Sequence, residues 1–92
     1  MITLTLYSRQ GCHLCDEMKT IVERVTRSSL RTIAIHEIDI STDPDLEARY
    51  GVEIPVLLVD GKKVAKYRVT EDELTRILNA RAGQAGGAGK AG

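Results

Sequence analysis

No block of like charge runs through this chain. Its thirteen basic and thirteen acidic residues cancel, and neither sign gathers into a patch. The electrostatic footprint of a nucleic-acid binder is therefore missing, and nucleic acid is not an expected partner. Also missing is any apolar run of membrane-spanning length, and the opening MITLTLYS has neither a charged leader nor the unbroken apolar core of a signal peptide. A soluble, cytoplasmic protein that stays off the membrane is the expectation. No internal repeat is visible. Cysteine is scarce: there are two, Cys12 and Cys15. In a compartment that keeps thiols reduced, and with so small a loop to close, such a pair is a poor structural staple. Structural zinc and iron–sulfur sites normally take four ligands. Two sulfurs, His13 and a distant His36 do not readily supply them within one chain.

What is present suffices for one small domain. Ninety-two residues, 42% of them hydrophobic, can build a single core and no second one. Residues 2–7 alternate Ile2, Leu4 and Leu6 with Thr3, Thr5 and Tyr7, the period of a strand. From Leu14 the period becomes helical through Met18, Ile21, Val22 and Val25, so Gly11 and Cys12 form a strand-to-helix turn. RTIAIHEIDI, residues 31–40, reads as a second strand buried on at least one face, parallel to the first by a right-handed crossover. Asp43, Pro44 and Gly51 punctuate a helix of about two turns. Residues 54–67 read as a hairpin about Asp60-Gly61, and Thr70 with Glu73 as a capping box for a last helix over about 71–81. Residues 82–92, almost all Gly and Ala, offer nothing to bury and are expected to be a disordered tail.

The order βαβαββα, with C-x-x-C at the start of the first helix and Ile54-Pro55 opening the third strand, resembles the thioredoxin fold: a four-stranded mixed sheet with helices on both faces. LYSRQGCHLC, EIDI and YGVEIPVLLVDGK look most like a small glutaredoxin, over residues 2 to about 80. The resemblance implies a thiol-disulfide oxidoreductase, a monomer with no bound organic cofactor. Its partners would be disulfide-containing proteins, and its reductant glutathione or an enzyme of the thioredoxin-reductase type. It also implies a cis Ile54-Pro55 bond that leaves the Ile54 backbone free to pair with a substrate strand, and Arg9 where such proteins carry a substrate-pairing cation. Two departures stand out. His13-Leu14 replaces the family's Pro-Tyr, and AKYRVTEDEL lacks the Gly-Gly pair of its glutathione site. The alternative function is a metal or iron–sulfur module, formed by a dimer sharing its C-x-x-C pairs.

The residues themselves support redox chemistry. A thiolate attacks a disulfide, and Cys12 at a helix N-terminus, near Arg9 and beside His13, is placed to be one. Such settings lower a free-thiol pKa of about 8.5 toward roughly 3.5–7.5. Cys15, three residues on and more buried, shares that side of the helix and would resolve the mixed disulfide. His36 reads as structural, and Tyr7 as either a groove wall or sheet packing. Leu14, Met18 and Val22 read as core, and the order of elements sets Glu37 and Asp39 away from the cysteines.

Overall fold

The computed structural model describes residues 2–86. The elements are β1 (Ile2–Ser8), α1 (His13–Ser28), β2 (Ile33–Asp39), α2 (Pro44–Tyr50), β3 (Val56–Val59), β4 (Lys62–Lys66) and α3 (Glu71–Gly86). A 3-10 turn, Ile40–Thr42, precedes α2. The sheet runs β2-β1-β3-β4, with β1 parallel to β2 and antiparallel to β3, and β4 antiparallel to β3. This is the expected order and the expected mixed sheet.

Alternation along β1 sends Ile2, Leu4 and Leu6 to one face. There they meet Met18, Val22 and Val25 of α1, Leu57 and Val59 of β3, and Leu74 and Leu78 of α3 in a single cluster. On the opposite face Tyr7 stacks on Tyr50 of α2, with ring centroids 4.8 Å apart. Helices thus cover both faces, and Tyr7 packs rather than walling a groove.

Local chemistry sets the boundaries. Asp43 caps α2 by accepting the Asp45 and Leu46 N–H groups. Thr70 and Glu73 bond reciprocally ahead of α3, the Thr70 N–H to Glu73 Oε1 at 2.9 Å and the Glu73 N–H to Thr70 Oγ1 at 3.0 Å. Asp60 and Gly61, both left-handed, turn the hairpin. A bulge after Leu57 slips the register past Val64, so that Val64 and Ala65 both lean on the core.

Three features differ from the sequence-based reading. β2 is the sheet's edge and has no fully buried residue; with a neighbour on one side only, its isoleucines are half-buried or, like Ile35, exposed. Leu14 is half-buried and lines a surface groove, leaving Met18 and Val22 as the core positions. Finally, α3 continues to Gly86, past the expected end at 81. An existing helix adds one bond per residue, and alanine costs it least. Residues 82–86 are therefore helical, and the remainder of the expected tail, 87–92, lies outside the described residues.

Asp60 ties the hairpin to both ends of the sheet's covering. One oxygen accepts the Thr3 N–H at 2.9 Å and the other pairs with Arg81 Nε of α3 at 2.8 Å. Those bonds, the Thr3 N–H first, hold its carboxyl below the usual carboxylate range. A depressed folded-state pKa gives stability that is present above the unfolded value of about 3.9 and lost as pH falls through the folded one. Asp60→Asn is expected to cost about 1–2 kcal/mol in urea unfolding at pH 7. The difference from wild type should shrink when the same measurement is made near pH 3.

Candidate active site

The loop from β1 to α1 is a turn built for one sulfur. The Cys12 N–H donates to the Arg9 carbonyl at 3.3 Å, and Gly11 occupies the third position of that turn at φ +80, where a side chain would be strained. Cys12 is thereby delivered as the N-cap of α1, in extended conformation, its Sγ accepting the Cys15 N–H at 3.1 Å. An N-cap oxygen usually takes this bond; here the acceptor is sulfur. The donor lies at the positive end of a 16-residue helix, so the interaction strengthens when the sulfur becomes an anion. Cys12 is half-buried and Cys15 only 3% exposed. The two are joined as a disulfide with Cα atoms 5.2 Å apart, within the range that a dithiol bridges without backbone movement.

The other expected site residues gather around this pair in different ways. His13 is exposed at the first position of α1. Arg9 is engaged within the chain: its guanidinium pairs with Glu47 of α2 and clasps the active-site loop to that helix. Ile54-Pro55 is cis. The Ile54 N–H, however, is not free, because it donates to the Tyr50 carbonyl at 3.1 Å as the chain leaves α2. Among the described residues no backbone N–H outside the regular ladders reaches the Ile54 carbonyl, so a substrate strand would find an acceptor there and no donor.

Glu37 and Asp39 are where the order of elements did not place them. Parallel pairing sets Leu6 beside Glu37 and Ser8 beside Asp39, so the end of β2 reaches the same rim as the cysteine loop. A cavity of about 390 Å³ is lined by Ser8, Cys15, Asp16, Glu37 and Asp39 together with residues 9–11 of the loop, Arg9 among them. Ser8, 5% exposed, donates its hydroxyl to Glu37 Oε2 at 3.2 Å, and Lys19 pairs with Glu37 Oε1 at 2.9 Å. Glu37 raises the Lys19 pKa, by its hydrogen bond first and its charge second. Asp39 is committed elsewhere: the hydroxyl and N–H of Ser41 hold its carboxyl below the usual range. Arg9 meets Glu47, and Glu37 meets Ser8 and Lys19, across long stretches of chain that no local sequence signal records. Among the described residues of one chain, no three His, Cys, Asp or Glu side chains converge as a metal site. No described helix is long and apolar enough to cross a membrane.

A parallel–antiparallel sheet flanked by helices, with a bonded C-x-x-C pair at a helix N-terminus beside a cis-proline, defines a dithiol domain of the thioredoxin fold. Residues 3–79 match the family described as Glutaredoxin-like domain (DUF836), and the chain belongs to that family. It is similar to the Glutaredoxin-like protein YDR286C homolog of Dictyostelium discoideum, 30% identical over 77 residues, which span 79% of this chain and 71% of that one. Among solved structures, the target protein XcR50 from X. campestris superposes with a TM-score of 0.70 at 32% identity, over 84% of this chain and 96% of that one. A thioredoxin from Halobacterium salinarum shares the fold at a TM-score of 0.63 and 24% identity, over 86% and 73% of the two chains.

The Arg9–Glu47 clasp depends on Gly51. A Cβ there would lie 2.5 Å from the Glu47 carbonyl oxygen, 2.9 Å from Glu47 Oε1 and 3.5 Å from Arg9 Nη2. The backbone oxygen cannot give way without opening the end of α2. Gly51→Ala should therefore cost about 1–3 kcal/mol in chemical denaturation, whereas Gly11→Ala, with open space around it but φ +80, acts through strain alone.

Proposed function

We propose that this chain is a thiol-disulfide oxidoreductase that reduces protein disulfides by dithiol exchange. The observation that carries the reading is the placement of Cys12: an N-cap sulfur that accepts a helix N–H, with a second sulfur in bonding reach. Membership of a glutaredoxin-like family agrees with it.

In the reduced protein the Cys12 thiolate attacks one sulfur of a substrate disulfide. A Cys12–substrate bond forms as the substrate's own S–S bond breaks, and the departing thiolate takes a proton from solvent. Cys15 then loses its proton and attacks Cys12 Sγ. The Cys12–Cys15 bond forms, the mixed disulfide breaks, and the second substrate thiolate leaves. Two electrons have passed to the substrate. Two glutathione thiols in succession, or the dithiol of a flavin-dependent reductase, return the protein to its starting state by the reverse exchange and leave as their own disulfide. A reducing compartment such as the cytoplasm suits that cycle. The protein's own surface speaks less for glutathione than for a protein dithiol, since Arg9 is already paired with Glu47 and the Ile54 N–H is already used. No organic cofactor enters any step.

Cys15 is buried, which disfavours its thiolate, so the second step calls for a base. Glu37 suits the role better than Asp39. It shares the cavity with Cys15, and each of its carboxylate oxygens, taking one bond from Ser8 or Lys19, keeps a further lone pair. Asp39 is committed to Ser41, whose hydroxyl and N–H hold its carboxyl below the usual range.

Trapping tests the reading directly. Cys15→Ser incubated with a disulfide-bonded protein should accumulate a mixed disulfide on Cys12, visible by mass spectrometry, and Cys12→Ser should accumulate none. Equal labelling of both variants, or of neither, rejects the proposal. Glu37→Gln preserves the hydrogen bond from Ser8 and removes the base. It is expected to leave capture by Cys12 nearly unchanged and to slow release about 10²-fold below neutral pH, less so as pH rises. Stopped-flow measurement of capture and release between pH 5 and 9 separates the two.

A further inference from the structure

The sheet has two free edges, and they are built differently. β4 carries three lysines, whereas β2 runs seven residues in unbroken register along β1, with neither lysine nor proline from Leu30 to Asp39. Lysine, proline and a bulge are the usual means by which a strand edge is kept from pairing, and β2 has none of them. This edge is also apolar where it meets water. Ile35 is 39% exposed, and Leu30, at the bend leading into the strand, is fully exposed.

Backbone direction fixes which residues can pair. The Ile2 N–H donates to the Thr32 carbonyl at 3.1 Å, so Thr32 faces β1 and the residues alternating with it face away. Ile33, Ile35 and Glu37 therefore turn their N–H and C=O groups outward, and among the described residues no backbone bond outside the ladder reaches them. In an antiparallel pair outward residues must lie opposite outward residues. When two copies of β2 meet about a two-fold axis at Ala34, Ile33 of each lies opposite Ile35 of the other. Ala34 then faces Ala34 in the close, non-hydrogen-bonded position, where a methyl group fits. Followed outward, the same register sets Arg31 opposite Glu37 and Leu30 opposite Ile38. Arg31 has no acidic partner among the described residues of its own chain. Sliding one copy by two residues in either direction brings an isoleucine opposite Glu37 or Arg31 instead.

We propose that this edge is an interface between two copies of the chain, an antiparallel β2–β2 pair that joins two four-stranded sheets into one of eight strands. The contact is self-complementary in charge and in apolar surface, and the two-fold axis uses up both β2 edges, so it closes at two copies. The resemblance to small glutaredoxins implies a monomer; the edge itself argues for two. β2 ends at the rim that holds the cysteine loop. Antiparallel pairing turns the two rims to opposite ends of the dimer and keeps each cysteine pair clear of the interface. Such a dimer is distinct from one that shares its cysteines around a metal.

Sedimentation velocity of the full chain tests this, with no readout that depends on thiol exchange. From about 10 μM to about 1 mM the mass is expected to rise toward that of two chains and stop there. Ile35→Lys, which sets an ammonium group against each apolar contact, should weaken association at least about tenfold. Leu30→Asp, at a position too exposed to matter for folding, should weaken it as well. The double variant Cys12→Ser, Cys15→Ser should associate as the wild type does. In that background Ala34→Cys is expected to form an intermolecular disulfide on mild oxidation, and Lys62→Cys on β4 to form none. A chain that stays monomeric throughout, or that assembles beyond two copies, overturns the proposal. So does a dimer that survives both Ile35→Lys and Leu30→Asp, that is lost with the cysteines, or that does not cross-link through position 34.

Discussion

One hydrogen bond organises the site: the Cys15 N–H to Cys12 Sγ. It requires that α1 begin at His13, that Cys12 be extended rather than helical, and that the chain arrive from β1 through a turn tight enough to place it there. Each requirement is met by a local feature. Gly11 takes the left-handed corner, and the Arg9 carbonyl accepts the Cys12 N–H. The apolar stripe of α1 fixes the helix against β1 and α3, so its N-terminus cannot drift from the sheet's rim. The core is what makes the cap a fixed electrostatic environment instead of a fluctuating one.

Around that bond the molecule arranges two unlike surfaces. Beneath Cys15 the rim is polar, with Ser8, Glu37 and Lys19 joined in one network at the end of the parallel β1–β2 pair. Beside Leu14 it is largely apolar, with Tyr67 and Val69 among its walls. The polar cavity and the apolar groove share no lining residue.

Much of this was legible from local pattern. The switch from period two to period 3.6 at residues 7–14 located the β1–α1 corner, and Thr70 with Glu73 located the start of α3 to the residue, because a capping box is made within four positions. Asp60-Gly61 gave the hairpin for the same reason. The illegible parts are those created by distance along the chain. Glu37 and Asp39 reach the cysteine loop only through the parallel register, and Arg9 finds Glu47 across thirty-eight positions. The isoleucines of β2 announced a strand but not its place at the edge, which depends on what pairs with its far side. Alanine in the tail read as too small to bury, and the helix extends through residues 82–86 because continuing an existing helix needs no burial.

The free border of β4 carries Lys62, Lys63 and Lys66, all exposed, on the outermost strand of the sheet. An unpaired strand border invites the backbone of another molecule to dock and extend the sheet, the first move toward fibrils. Lys63 pairs with Glu53, and the ammonium groups of Lys62 and Lys66 make two such borders repel when they approach. That fringe of charge favours separate, finite sheets over stacked ones.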